Sequence, residues 1–230
     1  MNIKQLIAGL IFALATIGNT QASIIGGPAT ANNCFPFGCT NWEPVYQQVF
    51  DASYFTGTTN IASLSFYNTF NDGGDWGSTG NIEISLSTTA ATVDNLSNNS
   101  TDNLGSDVAV VYTGEISAGT FGDRLDFILT SVFNYDANTG NLLMQVRNIS
   151  MTSSRVTFFD AVNANSDGMS RLFREATDSY GLVTGFNEAG TVTPPLPPTP
   201  PTPPSQIPAP ATLALMGLGI VGLRFSKRRA

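Results

Sequence analysis

The chain has 230 residues, with 17 acidic and 10 basic side chains, no His, two Cys and thirteen Pro. All 17 carboxylates lie between Ser23 and Thr193, against only five basic residues (Arg124, Arg147, Arg155, Arg171, Arg174), so this middle carries −12 and no Lys. Such a body excludes nucleic acid as a partner, because phosphate binding needs a basic face. The missing His removes Ser-His-Asp and Cys-His catalysis and any His-bound metal.

Residues 1–22 have the parts of a signal peptide: Lys4, an apolar run from Leu6 to Ile17, and small residues before a cleavage point between Ala22 and Ser23. Signal peptidase is the expected processing partner. Export follows, and with it an oxidising environment for the cysteines.

Residues 23–193 are expected to form one domain, long enough for a single core. Periodicity of two recurs in Ile82/Ile84/Leu86, Leu125/Phe127/Leu129 and Leu142/Met144/Val146. Further β-prone runs are Val45–Phe50, Ile61–Tyr67, Val108–Thr113, Arg155–Val162 and Leu182–Phe186. Polar clusters separate them: Asn71–Gly74, Asp136–Asn141 and Asn165–Gly168 supply the left-handed positions that turns need. Only Val93–Asn99 and Ser170–Thr177 suggest short helices. The pattern predicts an all-β, antiparallel β-sandwich, jelly-roll-like.

Cys34 and Cys39 enclose Phe35-Pro36-Phe37-Gly38. In an exported protein they are expected to form a disulfide that pins the N-terminal segment, with Phe35 or Phe37 packed on the sandwich. Their spacing is not that of a thioredoxin-like redox pair. Asp136-x-Asn138-x-Gly140 looks like the start of a calcium loop. Its ninth and twelfth positions are Met144 and Arg147, however, so the pattern fails and a hairpin turn is expected. No cofactor and no metal is expected, although the acidic excess leaves open a calcium site built from several loops.

Trp76 lies among Asp72, Asp75 and glycines. Two readings are open. The ring could face solvent and stack on a sugar whose hydroxyls the carboxylates bind, or the loop could be anchored by burying its one large residue. Without His, an enzyme would need a carboxylate pair as in glycoside hydrolysis, drawn from Glu43, Glu83, Glu115, Glu175 and Glu188. Nothing in the spacing brings two of these together, so no catalytic residue is assigned and a non-enzyme is expected.

Ten of the thirteen prolines fall between Pro194 and Pro210. The linker 194–208 lacks backbone donors for helix or sheet. As polyproline II it reaches roughly 45 Å and lifts the domain off a membrane. Beyond it, residues 211–225 carry a single charge, Arg224, and Lys227, Arg228 and Arg229 follow. As a helix this run is about 22 Å long, close to spanning once Ile207 onward is counted and Arg224 snorkels. The basic cluster should stay cytoplasmic, leaving the acidic domain outside.

Proline and small residues, a short apolar helix and a terminal basic cluster resemble the PEP-CTERM sorting signal of Gram-negative bacteria, over residues 208–230. The family core, Pro-Glu-Pro followed by Ala-Thr, is matched by Pro208, Pro210, Ala211 and Thr212, with Ala209 where the family carries Glu. The resemblance implies processing by an exosortase. It implies inner-membrane anchoring with the domain outside, then a cell-surface or extracellular product, often alongside exopolysaccharide production. Several strings in the domain resemble one recurrent group of exported PEP-CTERM proteins: CFPFGC at 34–39, YQQVFDASYF at 46–55, ISLSTT at 84–89, FNYDANTGNLLMQVRN at 133–148 and FFDAVNANSDGMSRLF at 158–173. That resemblance implies a β-sandwich and carries over no catalytic or binding residue. The expected function is a non-catalytic surface or matrix protein associated with exopolysaccharide or biofilm. A carbohydrate-binding module is the alternative, and a glycosidase the weakest reading.

Overall fold

The computed structural model describes residues 22–39, 44–69, 74–117 and 119–188. Contacts divide the chain into units 1–191 and 192–230, and the described residues all belong to the first. The signal segment 1–21, the linker and the tail lie outside the described residues, so the expected helices at both ends do too.

The strands begin with β1 (Ser23–Ile25), β2 (Ala31–Asn33), β3 (Val45–Phe50), β4 (Thr58–Tyr67), β5 (Gly74–Trp76) and β6 (Ser78–Thr89). They continue with β7 (Ala109–Ile116), β8 (Gly119–Phe121), β9 (Arg124–Asp136), β10 (Asn141–Asn148) and β11 (Thr152–Ser153). The last are β12 (Phe159–Asn163), β13 (Met169–Phe173), β14 (Ala176–Asp178), β15 (Tyr180–Leu182) and β16 (Thr184–Phe186). Every pairing among them is antiparallel, and the fold is all-β as expected.

One sheet has the order β1-β16-β4-β9; a larger one runs β11-β6-β10-β3-β13-β14, with β7 also on β6. Their inner faces share one core, in which Leu64, Phe66, Phe127 and Phe186 meet Ile82, Ile84, Leu86, Met144 and Val146. Phe50 and Phe186 touch across it edge to face, with ring centroids 5.1 Å apart. A small sheet, β15-β12-β2, and the pair β5-β8 complete the fold.

The larger sheet is covered on its outer face as well. Val49, Leu143 and Leu172 point away from the main core and bury Leu96 of the segment that follows β6. Beside this second apolar cluster runs a buried amide network. Gln47 Nε2 donates to Gln145 Oε1 (2.9 Å) and to Ser100 O (2.8 Å), and Asn103 Nδ2 donates to Gln47 Oε1 (2.9 Å). Buried amides are tolerated because each finds a partner.

Both expected helices are absent. Ser170–Thr177 is a hairpin, β13–β14, because Met169, Arg171 and Phe173 face the interior while Ser170 and Leu172 face the cover. Val93–Asn99 is irregular: Asp94 has φ +60°, and only Ser100–Asn103 forms a 3₁₀ turn, capped by Asn99. The Asp136–Gly140 segment is also corrected. Asp136 Oδ1 accepts from Asn138 N (3.0 Å), but this turn carries the chain from β9 in one sheet to β10 in the other and closes no hairpin.

Residues Leu182–Phe186 divide at Val183 into β15 and β16, which belong to different sheets. Gln48 of β3 closes that break. Its Oε1 accepts from Leu182 N (2.8 Å) and from Tyr46 Oη (2.7 Å), and its Nε2 donates to Leu182 O (2.9 Å). The side-chain amide thus stands in for a neighbouring strand. Burial drives the Tyr46 phenol well above its ordinary pKa, so it stays a donor to Gln48.

Candidate functional site

Cys34 and Cys39 form the expected disulfide, with Cα atoms 4.9 Å apart. Gly38 N donates to Cys34 O (2.6 Å), and Ser78 Oγ fixes Phe37 O (2.7 Å). Only glycine fits at Gly38, where a Cβ would lie 1.9 Å from Thr157 O. The turn drives Phe37 into the core against Phe66 and Phe127, with centroids at 4.8 and 5.2 Å, and lays Phe35 on Phe173 at 3.9 Å.

Trp76 does not present its ring. It is 4% exposed and meets Phe159 edge to face, centroids 5.5 Å apart. A buried indole offers no face to a pyranose, so the sugar-stacking reading of Trp76 is corrected: the residue anchors its loop. Asp75 is placed by its backbone within β5, and Asp72 lies outside the described residues. Ser23, next to the expected cleavage point after exposed Ala22, opens β1 and pairs with Phe186. Pro208, Ala209, Pro210, Ala211 and Thr212 lie outside the described residues.

Among the expected carboxylates, the register Asn81↔Glu115 makes Glu83 and Glu115 diagonal neighbours on adjacent strands. Glu83 is ion-paired with Arg147 at 3.2 Å. Arg171 is also held: its guanidinium binds Asp178 through two bonds of 2.8 and 2.9 Å and lies over Tyr180.

One polar concavity has no counterpart among the motifs of the sequence. A cleft of about 790 Å³ opens on the outer face of the larger sheet, floored by Pro44, Val45 and Leu172. Asn98, Asn99 and Ser100 line it together with Arg174 and Glu175. The wall is fixed: Asn99 caps the 3₁₀ turn and binds Asp102 (3.0 Å), and Ser100 O receives Gln47. Arg174 and Glu175 are the two central residues of the β13–β14 turn, both at φ +55°. Such positions favour Asn-Gly, and each other residue there costs roughly 1 kcal/mol. Arg174 also lies over the rings of Phe35 (5.8 Å) and Phe173 (5.2 Å).

A smaller cleft of about 270 Å³ gathers Asp51, Asp94, Ser166 and Tyr54 near Asp167. Among the described residues, no three ligating side chains converge as a metal site. Burial pushes the Asp167 carboxyl above the ordinary aspartate range, and the Asp94 charge adds to the rise. A carboxyl with a raised folded pKa costs stability at neutral pH, and that cost fades as pH falls through the raised value. Asp167→Asn keeps an acceptor for Met169 N. It should therefore raise Tm at pH 7, with the gain vanishing in acid; thermal melts from pH 7 to 3 would show whether it does.

Residues 206–229 match the family model of the PEP-CTERM protein-sorting motif. No curated protein matches the sequence. Among solved structures, the cysteine protease and lectin-like domains of Cwp84, a surface-layer associated protein of Clostridium difficile, are similar over 69% of this chain and 36% of that one. The identity is 11% and the TM-score 0.35, a likeness that assigns neither ligand nor activity. Among the described residues no helix is long and apolar enough to cross a membrane, and the expected span at 211–225 lies outside them. The family match falls on the same segment as the proline, apolar and basic pattern at the C-terminus, and the chain therefore carries a PEP-CTERM protein-sorting motif, the signal of an exported exosortase substrate.

Proposed function

We propose that this chain is a non-catalytic surface protein, held in the inner membrane by its tail until an exosortase cuts it, and then working at the cell surface in association with exopolysaccharide. The sorting motif at 206–229, set behind a proline-rich spacer, is the observation that carries this reading. The absence of His and the Arg147–Glu83 ion pair support the non-catalytic part. Polysaccharide hydrolysis lost on Glu83→Gln would overturn that part.

Peptide mapping of the mature protein tests the sorting step. In a host with its exosortase, peptides from Leu213 to Arg224 should be absent from the surface form; in a strain lacking the exosortase they should persist in the membrane fraction. Their persistence in both would make the tail a simple anchor. A carbohydrate-binding module is the second reading, favoured by the polar cleft beside Arg174 and Glu175.

A further inference from the structure

The cleft on the outer face combines a fixed polar wall, an apolar floor and a strained turn that projects two charges. Sequence economy would place Asn-Gly at a two-residue turn of this kind. Here both left-handed positions are instead filled by long side chains that line the cleft. Arg174 is held in part by the rings of Phe35 and Phe173, whereas backbone strain retained at a concave site points to the groups it displays.

The ligand class follows from the lining. The Asn98 amide and the Ser100 hydroxyl can each donate and accept, while Arg174 donates and Glu175 accepts. Such a set matches vicinal hydroxyls, each of which is both donor and acceptor. Pro44 and Val45 supply an apolar surface for the C–H face of a sugar ring. The volume falls within the roughly 300–1,000 Å³ of small-ligand sites, and the cleft is open to solvent, so a polymer can lie in it. The Arg174 and Glu175 charges cancel locally, whereas the surrounding −12 domain repels polyanions.

We propose that the cleft formed by Asn98, Ser100, Arg174 and Glu175 binds a short stretch of a neutral polysaccharide. This rests on the surface-protein reading and names the site through which the domain would hold exopolysaccharide.

The test is affinity electrophoresis of the full chain in detergent through gels containing dextran, galactomannan, the host's own exopolysaccharide or alginate. The wild type should be retarded by a neutral polymer and not by alginate. The variant Arg174→Asn/Glu175→Gly removes both charges and installs the preferred turn residues. It should melt no lower than the wild type while losing about tenfold in affinity, as expected for removing charged hydrogen bonds. If that variant folds poorly, Asn98→Ala decides, since its exposed side chain serves no hydrogen bond in the fold. Undiminished retardation of a folded variant would overturn the site and leave the association with exopolysaccharide standing. Retardation by alginate alone, lost in the variant, would overturn the neutral class. No retardation by any polymer would remove both the site and the association.

Discussion

Gln48→Leu is expected to destabilise the domain by about 4 kcal/mol, because it strands two buried donors at once and each costs about 1–3 kcal/mol. Leu182 N–H and the Tyr46 hydroxyl lose the acceptor that one amide supplies, while Leu182 C=O keeps Thr184 Oγ1 as a donor at 2.9 Å. Gln48, Tyr46 and Leu182 are 0%, 2% and 0% exposed, so water cannot take over. Against a total stability of about 5–15 kcal/mol, the loss is large enough to unfold part of the population at growth temperature. Chemical denaturation measures it. A double-mutant cycle with Tyr46→Phe assigns it: Tyr46→Phe should cost about 1 kcal/mol in the wild type and nothing in the Gln48→Leu background, where the hydroxyl is already orphaned. Equal costs in the two backgrounds would show that Gln48 acts by packing alone.

Phe37→Ala is expected to cost about 3–5 kcal/mol, the range for truncating a buried aromatic. Phe37 is fully buried and touches Phe66, Phe127 and Phe159. The disulfide that frames it closes a loop with a sequence separation of only five, so its removal should cost roughly 2 kcal/mol on the chain-entropy estimate. The order of the two losses is the informative result. If Cys34→Ser/Cys39→Ser is the more damaging, the bridge itself dominates; if Phe37→Ala is, the bridge serves mainly to aim the ring. Melts of both variants under oxidising conditions would settle the order.

Much of the fold is legible in the sequence because alternation reports a face directly. Ile82, Ile84 and Leu86 of β6 and Leu142, Met144 and Val146 of β10 are all buried, as their period of two predicts. Ser170–Thr177 looks helical because β13 is covered on both faces, and a strand covered on both faces loses its alternation. The cover itself, the segment around Leu96, suggests a helix in sequence but is irregular up to the 3₁₀ turn Ser100–Asn103.

Trp76 shows the same limit at the level of a site. A single aromatic among Gly and Asp reads equally as a platform or an anchor, and only its contact with Phe159 decides for the anchor. The cleft was invisible for a related reason: Asn98 and Ser100 are far from Arg174 and Glu175 in the chain and meet only through the β3–β13 pairing and the Gln47 network.

The sorting motif and the class of the fold are both legible along the chain. A sorting tail is a linear signal read along the chain, and strand alternation is a local consequence of backbone geometry. The tertiary structure decided which polar side chains are buried links, as with Gln48, and which surround an open cleft, as with Arg174 and Glu175. Those roles depend on what lies opposite after folding, and with most contacting pairs distant along the chain, no local pattern encodes them.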